Sequence, residues 1–185
     1  MSKHPLDGMK VAIVVADGFE QAEMTEPRRA LHAAGAQTKL VSPANGRVRG
    51  WKHHDPADAF EVDIPLAQAA AHEFDALLLP GGVISTDSLR MNAQAVALVR
   101  DFVKAAKPVA AICHGLWMLI EADAVGGRTV TSWPSLRTDL KNAGAKWVDR
   151  EVAVHGNLIT SCKPDDLPAF TREMVKMFAA ARMHA

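Results

Sequence analysis

The chain has 185 residues, of which 49% are hydrophobic and 23% charged, a globular composition with enough apolar material for one ordinary core. Its 21 Lys and Arg balance its 21 Asp and Glu, which argues against an electrostatic footprint for nucleic acid or for anionic lipid. No apolar run approaches membrane-spanning length, and the start, Met1-Ser2-Lys3-His4-Pro5, has no apolar leader segment, so no membrane partner and a cytoplasmic location are expected. Two cysteines, Cys113 and Cys162, make no disulfide framework.

In chain order, Met9–Val15 reads as a buried first strand, and Ala16-Asp17-Gly18 as its turn. A helix follows from about Glu20 to Ala34 and stops at Gly35, with Pro27 expected to kink or restart it. Gln37–Ser42 is a second strand, completing a βαβ opening with parallel pairing. Arg47–Asp63 alternates in short pieces between Gly46, Gly50 and Pro56, which predicts a β-hairpin off the main sheet. Pro65–Ala71 is expected to be a short helix, Asp75–Leu79 a buried strand, and Pro80-Gly81-Gly82 its close, followed by a loop. Asn92 caps a helix through Lys104. Val109–Ile112 is the central strand and turns at once into a helix carrying Leu116, Trp117, Leu119 and Ile120. Arg128–Thr131, Lys146–Val148, Val152–Val154 and Leu158–Ser161 are strand pieces, and helices open at Pro134 and at Asp165-Asp166. Strands and helices alternate throughout, with no repeat or linker. The expectation is a single domain over residues 1–185, an α/β three-layer sandwich with a mostly parallel sheet and a small hairpin excursion.

The chemistry concentrates at Cys113-His114-Gly115. A residue at a strand-to-helix corner projects from the carboxyl end of the sheet, the geometry of a nucleophile elbow. Unpaired N–H groups and the positive dipole end of the following helix favour a thiolate there. Ligands of such sheets bind outside the carboxyl ends of the strands, and three ends carry candidates: Asp17–Glu20, Pro80–Gly82 and Cys113–Gly115. Glu20 is the acid placed against Cys113, where it helps the thiolate only if it keeps its proton. Glu23 and Glu26 read as helix-surface charges. The N–H groups of Gly82 and His114 are the candidate oxyanion hole, with Gly81, Gly115 and Asp87 completing the substrate-binding group. His114 is not a base by adjacency alone, because helical neighbours point about 100° apart. His53-His54-Asp55 has metal-like spacing but no second ligand cluster, so no metal is expected. Cys162 reads as structural, and Trp51, Trp117, Trp133 and Trp147 as packing.

At these residues the chain resembles the ThiJ/PfpI family, or DJ superfamily, and most closely its PfpI-like branch. The carriers are Asp17-Gly18-Phe19-Glu20 with Glu23, Leu79-Pro80-Gly81-Gly82, Ala111–Gly115, Thr131-Ser132-Trp133-Pro134, Gly144–Asp149 and Lys163–Pro168, in family order over nearly the whole chain. The resemblance implies a flavodoxin-like fold related to the class I glutamine amidotransferases. It implies Cys113 as nucleophile, Glu20 as the buried acid on its sulfur, and no cofactor. Homodimers or assemblies of dimers are implied too. So is a stress-related enzyme acting on small carbonyls or glycated adducts, as a glyoxalase or deglycase. The alternatives are an oxidative-stress sensor or chaperone using Cys113 oxidation, and an intracellular cysteine peptidase. In PfpI-like members a Glu from a neighbouring subunit, in the loop after Pro-Gly-Gly, orients the His. Here that stretch, Val83–Arg90, has no Glu and offers only Asp87.

Overall fold

The computed structural model describes residues 4–183. Met1–Lys3, part of the stretch read as lacking a leader, lie outside them. Strand β1 (Lys10–Val14) runs through a turn into the two-residue β2 (Phe19–Glu20) and helix α1 (Gln21–Ala33). β3 (Gln37–Ser42) follows, then the hairpin β4 (Arg47–Lys52) and β5 (Asp55–Glu61), and β6 (Ile64–Pro65). β7 (Ala76–Leu79) leads to α2 (Val83–Arg90) and α3 (Ala93–Lys104), and β8 (Val109–Ile112) to α4 (Leu116–Glu121). The remainder is β9 (Thr129–Val130), α5 (Arg137–Asn142), β10 (Lys146–Trp147), β11 (Val152–His155), β12 (Leu158–Ser161) and α6 (Leu167–Met183).

Seven strands form the central sheet in the order β11-β12-β8-β7-β1-β3-β6, all parallel except β11. Both faces are covered. Val11 and Ile13 point to one core with Leu31 of α1 and Phe170, Met174 and Phe178 of α6. Ala12 and Val14 point to the other, with Leu98, Val99 and Phe102 of α3 and Leu119 of α4. This period of two, with apolar residues on both faces, is why the central strands are continuous hydrophobic runs in the sequence. The result is the expected flavodoxin-like three-layer sandwich.

Three local expectations change, and one pairing is added. Pro27 lies inside one continuous α1; its missing N–H costs one bond of the ladder, while its ring is buried on the inner face with Met24 and Leu31. Pro65–Ala71 is no helix: single 3₁₀ turns stand at Leu66–Gln68 and Ala71–Glu73. The stretch after Pro-Gly-Gly is a helix, α2, that buries Ser85, Thr86 and Leu89; its β-branched opening, Val83-Ile84, is poor in helix propensity and masks it. β9 and β10 pair with each other in a separate two-stranded parallel sheet.

The hairpin is tied to the front of the molecule at three points. β2 pairs with β4, aligning Glu20 with Trp51. Asp17 Oδ1 accepts the Arg49 N–H at 2.7 Å, and the Gly18 N–H donates to Arg49 O at 3.0 Å. Gln21 and Asp58 exchange two hydrogen bonds, at 2.7 and 2.9 Å. These contacts carry the hairpin tip over the carboxyl ends of the strands.

Candidate active site

The three strand ends singled out in the sequence belong to β8, β7 and β1, which are neighbours in the sheet. They open onto a cleft of about 810 Å³ lined by Glu20, Glu23, Gly82, Cys113 and His114, with Trp51, His53 and His54 from the hairpin and Ile84, Trp133 and Pro164 at the rim. A second cleft, of about 640 Å³, lies at the opposite strand ends around Met9, Asp75 and Pro108, and holds none of the candidate nucleophiles.

Cys113 closes β8 with φ +61°, in the left-handed region that side chains other than glycine enter at a cost. That backbone turn resolves the problem of adjacency. In a helix Cys113 and His114 would diverge; with Cys113 left-handed, its Sγ stands 3.3 Å from His114 Nδ1. Both side chains are almost buried, with 7% and 8% exposed. The backbone N–H groups of His114 and Gly82 face the sulfur and pull its thiol down, so the two donors expected of an oxyanion hole stand beside the reacting atom.

Three glycines make this convergence possible. A Cβ on Gly115 would collide with the Leu79 carbonyl oxygen, and one on Gly81 would sit 2.8 Å from Cys113 Cβ and against the Glu23 carboxyl. Gly82 has φ +101°, and a Cβ there would meet Glu20 N at 2.6 Å. At Gly82 and Gly115 the corner is closed by backbone against backbone, and at Gly81 by backbone against Cys113 and Glu23, approaches that only glycine permits.

The acid on the sulfur is Glu23, and here the sequence reading is corrected. Glu23 is fully buried beside Cys113, both side chains flanking Gly81, and accepts the Gly81 N–H at Oε2 at 2.8 Å. Glu20 instead terminates β2, faces the hairpin, and accepts the His53 N–H at 3.1 Å, with His53 Nδ1 4.0 Å away. The reason is a shift of phase. Because Phe19–Glu20 is strand, α1 starts at Gln21, and its inner stripe becomes Glu23, Met24, Pro27 and Leu31. That i, i+4, i+8 spacing of Glu23 with Pro27 and Leu31 is the signal that could have found it. Glu26 is a surface charge as expected, paired with Arg29.

Burial pushes the Glu23 carboxyl up to about 8, against the pull of its hydrogen bond with Cys113; the Glu20 charge raises it further and the Gly81 N–H lowers it. Burial also pushes the Cys113 thiol up, helped by the charge of an ionised Glu23, while the N–H groups of His114 and Gly82 pull it down. Two neighbouring buried anions are the least favourable state of the pair. Glu23 therefore keeps its proton at neutral pH, and a protonated Glu23 donates to the sulfur. The carboxyl then lowers the thiol instead of raising it. Oε2 accepts the Gly81 N–H, and among the described residues Oε1 has no other hydrogen-bond partner, so the proton belongs on Oε1, the oxygen free to turn it toward the sulfur. Burial lowers His114 from the ordinary histidine value, leaving a neutral imidazole beside the thiol.

The remaining candidates divide. Asp87 is exposed on α2, and within the described chain no hydrogen bond or ion pair joins it to His114. Cys162 is buried one residue beyond β12 and lines no part of the cleft. Trp51 and Trp133, read as packing, line the cleft, and His53 and His54 stand over it. No group of three metal-ligating side chains occurs among the described residues, and no helix among them is long and apolar enough to cross a membrane.

The model of the DJ-1/PfpI family matches residues 9–177. The chain belongs to this family. Among its DJ-1/PfpI relatives, a deglycase of Thermococcus kodakarensis is 42% identical over 91% of this chain and 99% of its own. Protein/nucleic acid deglycase 2 of Escherichia coli is 42% identical over 92% and 98%. A crystal structure of a two-domain protein of Anabaena variabilis, with DJ-1/ThiJ/PfpI-like and ferritin-like domains, superposes with a TM-score of 0.85 at 35% identity. It covers 91% of this chain, which spans only 47% of that one.

Proposed function

We propose that the chain is a stress-related cysteine enzyme of the deglycase or glyoxalase type, with Cys113 as nucleophile and small carbonyls or their glycated adducts as substrates. The observation that carries this reading is the convergence on one sulfur of a buried carboxyl, an imidazole and two backbone N–H groups. The names of the DJ-1/PfpI relatives support the substrate class. Among the described residues no Lys or Arg lines the cleft, which favours a neutral carbonyl over a polyphosphate.

With a dicarbonyl such as methylglyoxal, the Cys113 sulfur adds to the aldehyde carbon. The new oxyanion falls to the Gly82 and His114 N–H groups, and the thiol proton passes to the oxygen through Glu23 or His114. A base then moves the proton of that carbon to its neighbour, which converts the hemithioacetal into a hydroxyacyl thioester. Water cleaves the thioester and returns the thiol, so the sum is one dicarbonyl plus one water to one hydroxy acid. The sequence reading gave the carboxyl's part to Glu20; the geometry moves it to Glu23. The reading treats residues 1–185 as one catalytic domain, in a cytoplasmic homodimer or assembly of dimers. Replacing Cys113→Ala should abolish turnover of methylglyoxal and of a methylglyoxal–amine adduct, and full activity in that variant would sink the reading.

The unpartnered Glu23 Oε1 favours a second use of the same thiol. After attack on a peroxide, a sulfenic or sulfinic Cys113 would present oxygens to the same donors. Mass spectrometry after mild peroxide should then show oxygen added at Cys113 and not at Cys162; equal oxidation of both would remove this second use.

A further inference from the structure

Glu20 lines the cleft with Cys113 and Glu23, yet it takes no part in the chemistry at the sulfur. Backbone contacts on both sides set its place. Its N–H donates to the Gly81 carbonyl at 3.0 Å, which anchors it to the loop that supplies the Gly82 donor. On the other side it is aligned with Trp51 of β4, and its Oε2 accepts the N–H of His53 at 3.1 Å. His53 reaches that position with φ +57°, a left-handed turn at the hairpin tip that histidine enters at a cost. The Glu20 side chain is 14% exposed, sunk into the wall and still open to the cleft.

A fixed anion on the wall of a reactive site selects for charge. Glu23 keeps its proton, so among the described lining residues the negative charge is that of Glu20. It is felt at the reacting pair, where it helps to raise Glu23. In a half-buried wall such a charge attracts cations and repels anions more strongly than in bulk water. A metal ion takes several ligands, and among the described residues no group of three metal-ligating side chains occurs. A carboxylate beside an indole suits an organic cation instead, an ammonium or guanidinium that donates to the oxygens and lies against the ring of Trp51.

We propose that Glu20, held by the His53 N–H and flanked by Trp51, is a cation-recognition subsite that selects carbonyl adducts carrying an ammonium or guanidinium group over neutral and anionic ones. The carbonyl carbon of the adduct meets Cys113 while its cationic end rests against Glu20. The inference rests on the proposed function for its substrate, but the selection by charge is read at the thiol without turnover.

In a Cys162→Ser background, Cys113 is modified with two small methanethiosulfonates, one with a 2-aminoethyl and one with a 2-sulfonatoethyl head. In both cases the thiolate forms a mixed disulfide and methanesulfinate leaves. The ratio of the two rates, divided by the same ratio for free 2-mercaptoethanol, should favour the cationic reagent by on the order of tenfold at low salt and shrink as salt is added. Glu20→Gln should bring that quotient close to one, and Glu20→Asp, which keeps the charge, should retain much of it. Glu61→Gln removes a charge from the same hairpin outside the cleft and should leave it unchanged. With adducts of methylglyoxal, Glu20→Gln should raise KM for the methylguanidine adduct by about tenfold relative to the 2-mercaptoethanol adduct, with little change in kcat. A quotient near one in the Cys162→Ser protein would overturn the subsite, and that reading needs no Glu20 variant to fold. So would an unchanged quotient in Glu20→Gln, which would place the selecting charge elsewhere. If the unmodified protein turns over no carbonyl or adduct, the proposed function fails, and the two reagents still decide the subsite.

Discussion

Cys113 and Cys162 leave adjacent parallel strands at the same level. The register of β8 and β12 ends with Ser161 opposite Ile112, and each cysteine is the next residue. Both are 7% exposed, and burial raises both thiols. There the likeness stops. Cys113 sits in a left-handed turn that aims it at two N–H groups, an imidazole and a buried carboxyl. At Cys162 the chain runs on extended through Lys163, and after burial the thiol feels the charges of Asp166, Lys163 and Asp149. The pair teaches that burial does not make a thiol functional; the turn that presents it and the donors that receive it do.

The largest effect expected from this contrast is at the sulfurs themselves. Cys113→Ser should remove turnover altogether, whereas Cys162→Ser should leave it close to unchanged; comparable losses in both, measured as kcat/KM, would break the comparison. Next comes the acid. Glu23→Gln should lower kcat by about 10²–10⁴-fold, the usual weight of an acid–base group, while Glu20→Gln should cost far less. A reversed order would restore the sequence-based assignment.

The corner itself is tested by Gly115→Ala. Its added Cβ meets the Leu79 carbonyl, and overpacking of this kind costs about 1–3 kcal/mol, read as a lower denaturation midpoint. An equal midpoint would mean that the elbow is looser than described. The smallest effect is on pH dependence. Glu23 is raised to about 8 in the folded protein, so the native state binds a proton that the unfolded chain has released above its ordinary value. Between that value and about 8, stability should fall as pH rises, and then level off. The neutral Glu23→Gln should flatten that slope, visible in Tm from pH 5 to 8.5; an unchanged slope would place the titration elsewhere.

Most of this was legible in the sequence where local pattern and tertiary role agree. The apolar runs of β1, β7 and β8 are buried on both faces, Asn92 caps α3 through its side chain onto Gln94 and Ala95, and the elbow announces itself as apolar strand, Cys, His, Gly. Glu20 and Glu23 defeated the reading because two strand residues delay the start of α1, and that pairing with β4 lies far along the chain. Trp133, His53 and His54 escaped for a similar reason. Their local patterns pointed elsewhere, Trp133 to packing and His53-His54 to metal-like spacing; the fold brings their separate loops to one cleft.

The hairpin β4–β5 has a consequence for how such a protein can change. It belongs to a sheet of its own with β2, and it reaches the cleft through Trp51, His53 and His54 near its tip, while the cysteine, its acid and its donors all hang from the central sheet and α1. On the reading proposed for Cys113, the part of the cleft that the hairpin supplies thus sits on a different segment from the reacting group. The tip can be lengthened, shortened or exchanged to admit a different molecule without disturbing the corner that reacts with it, which makes this hairpin the natural place for retargeting by evolution or by design.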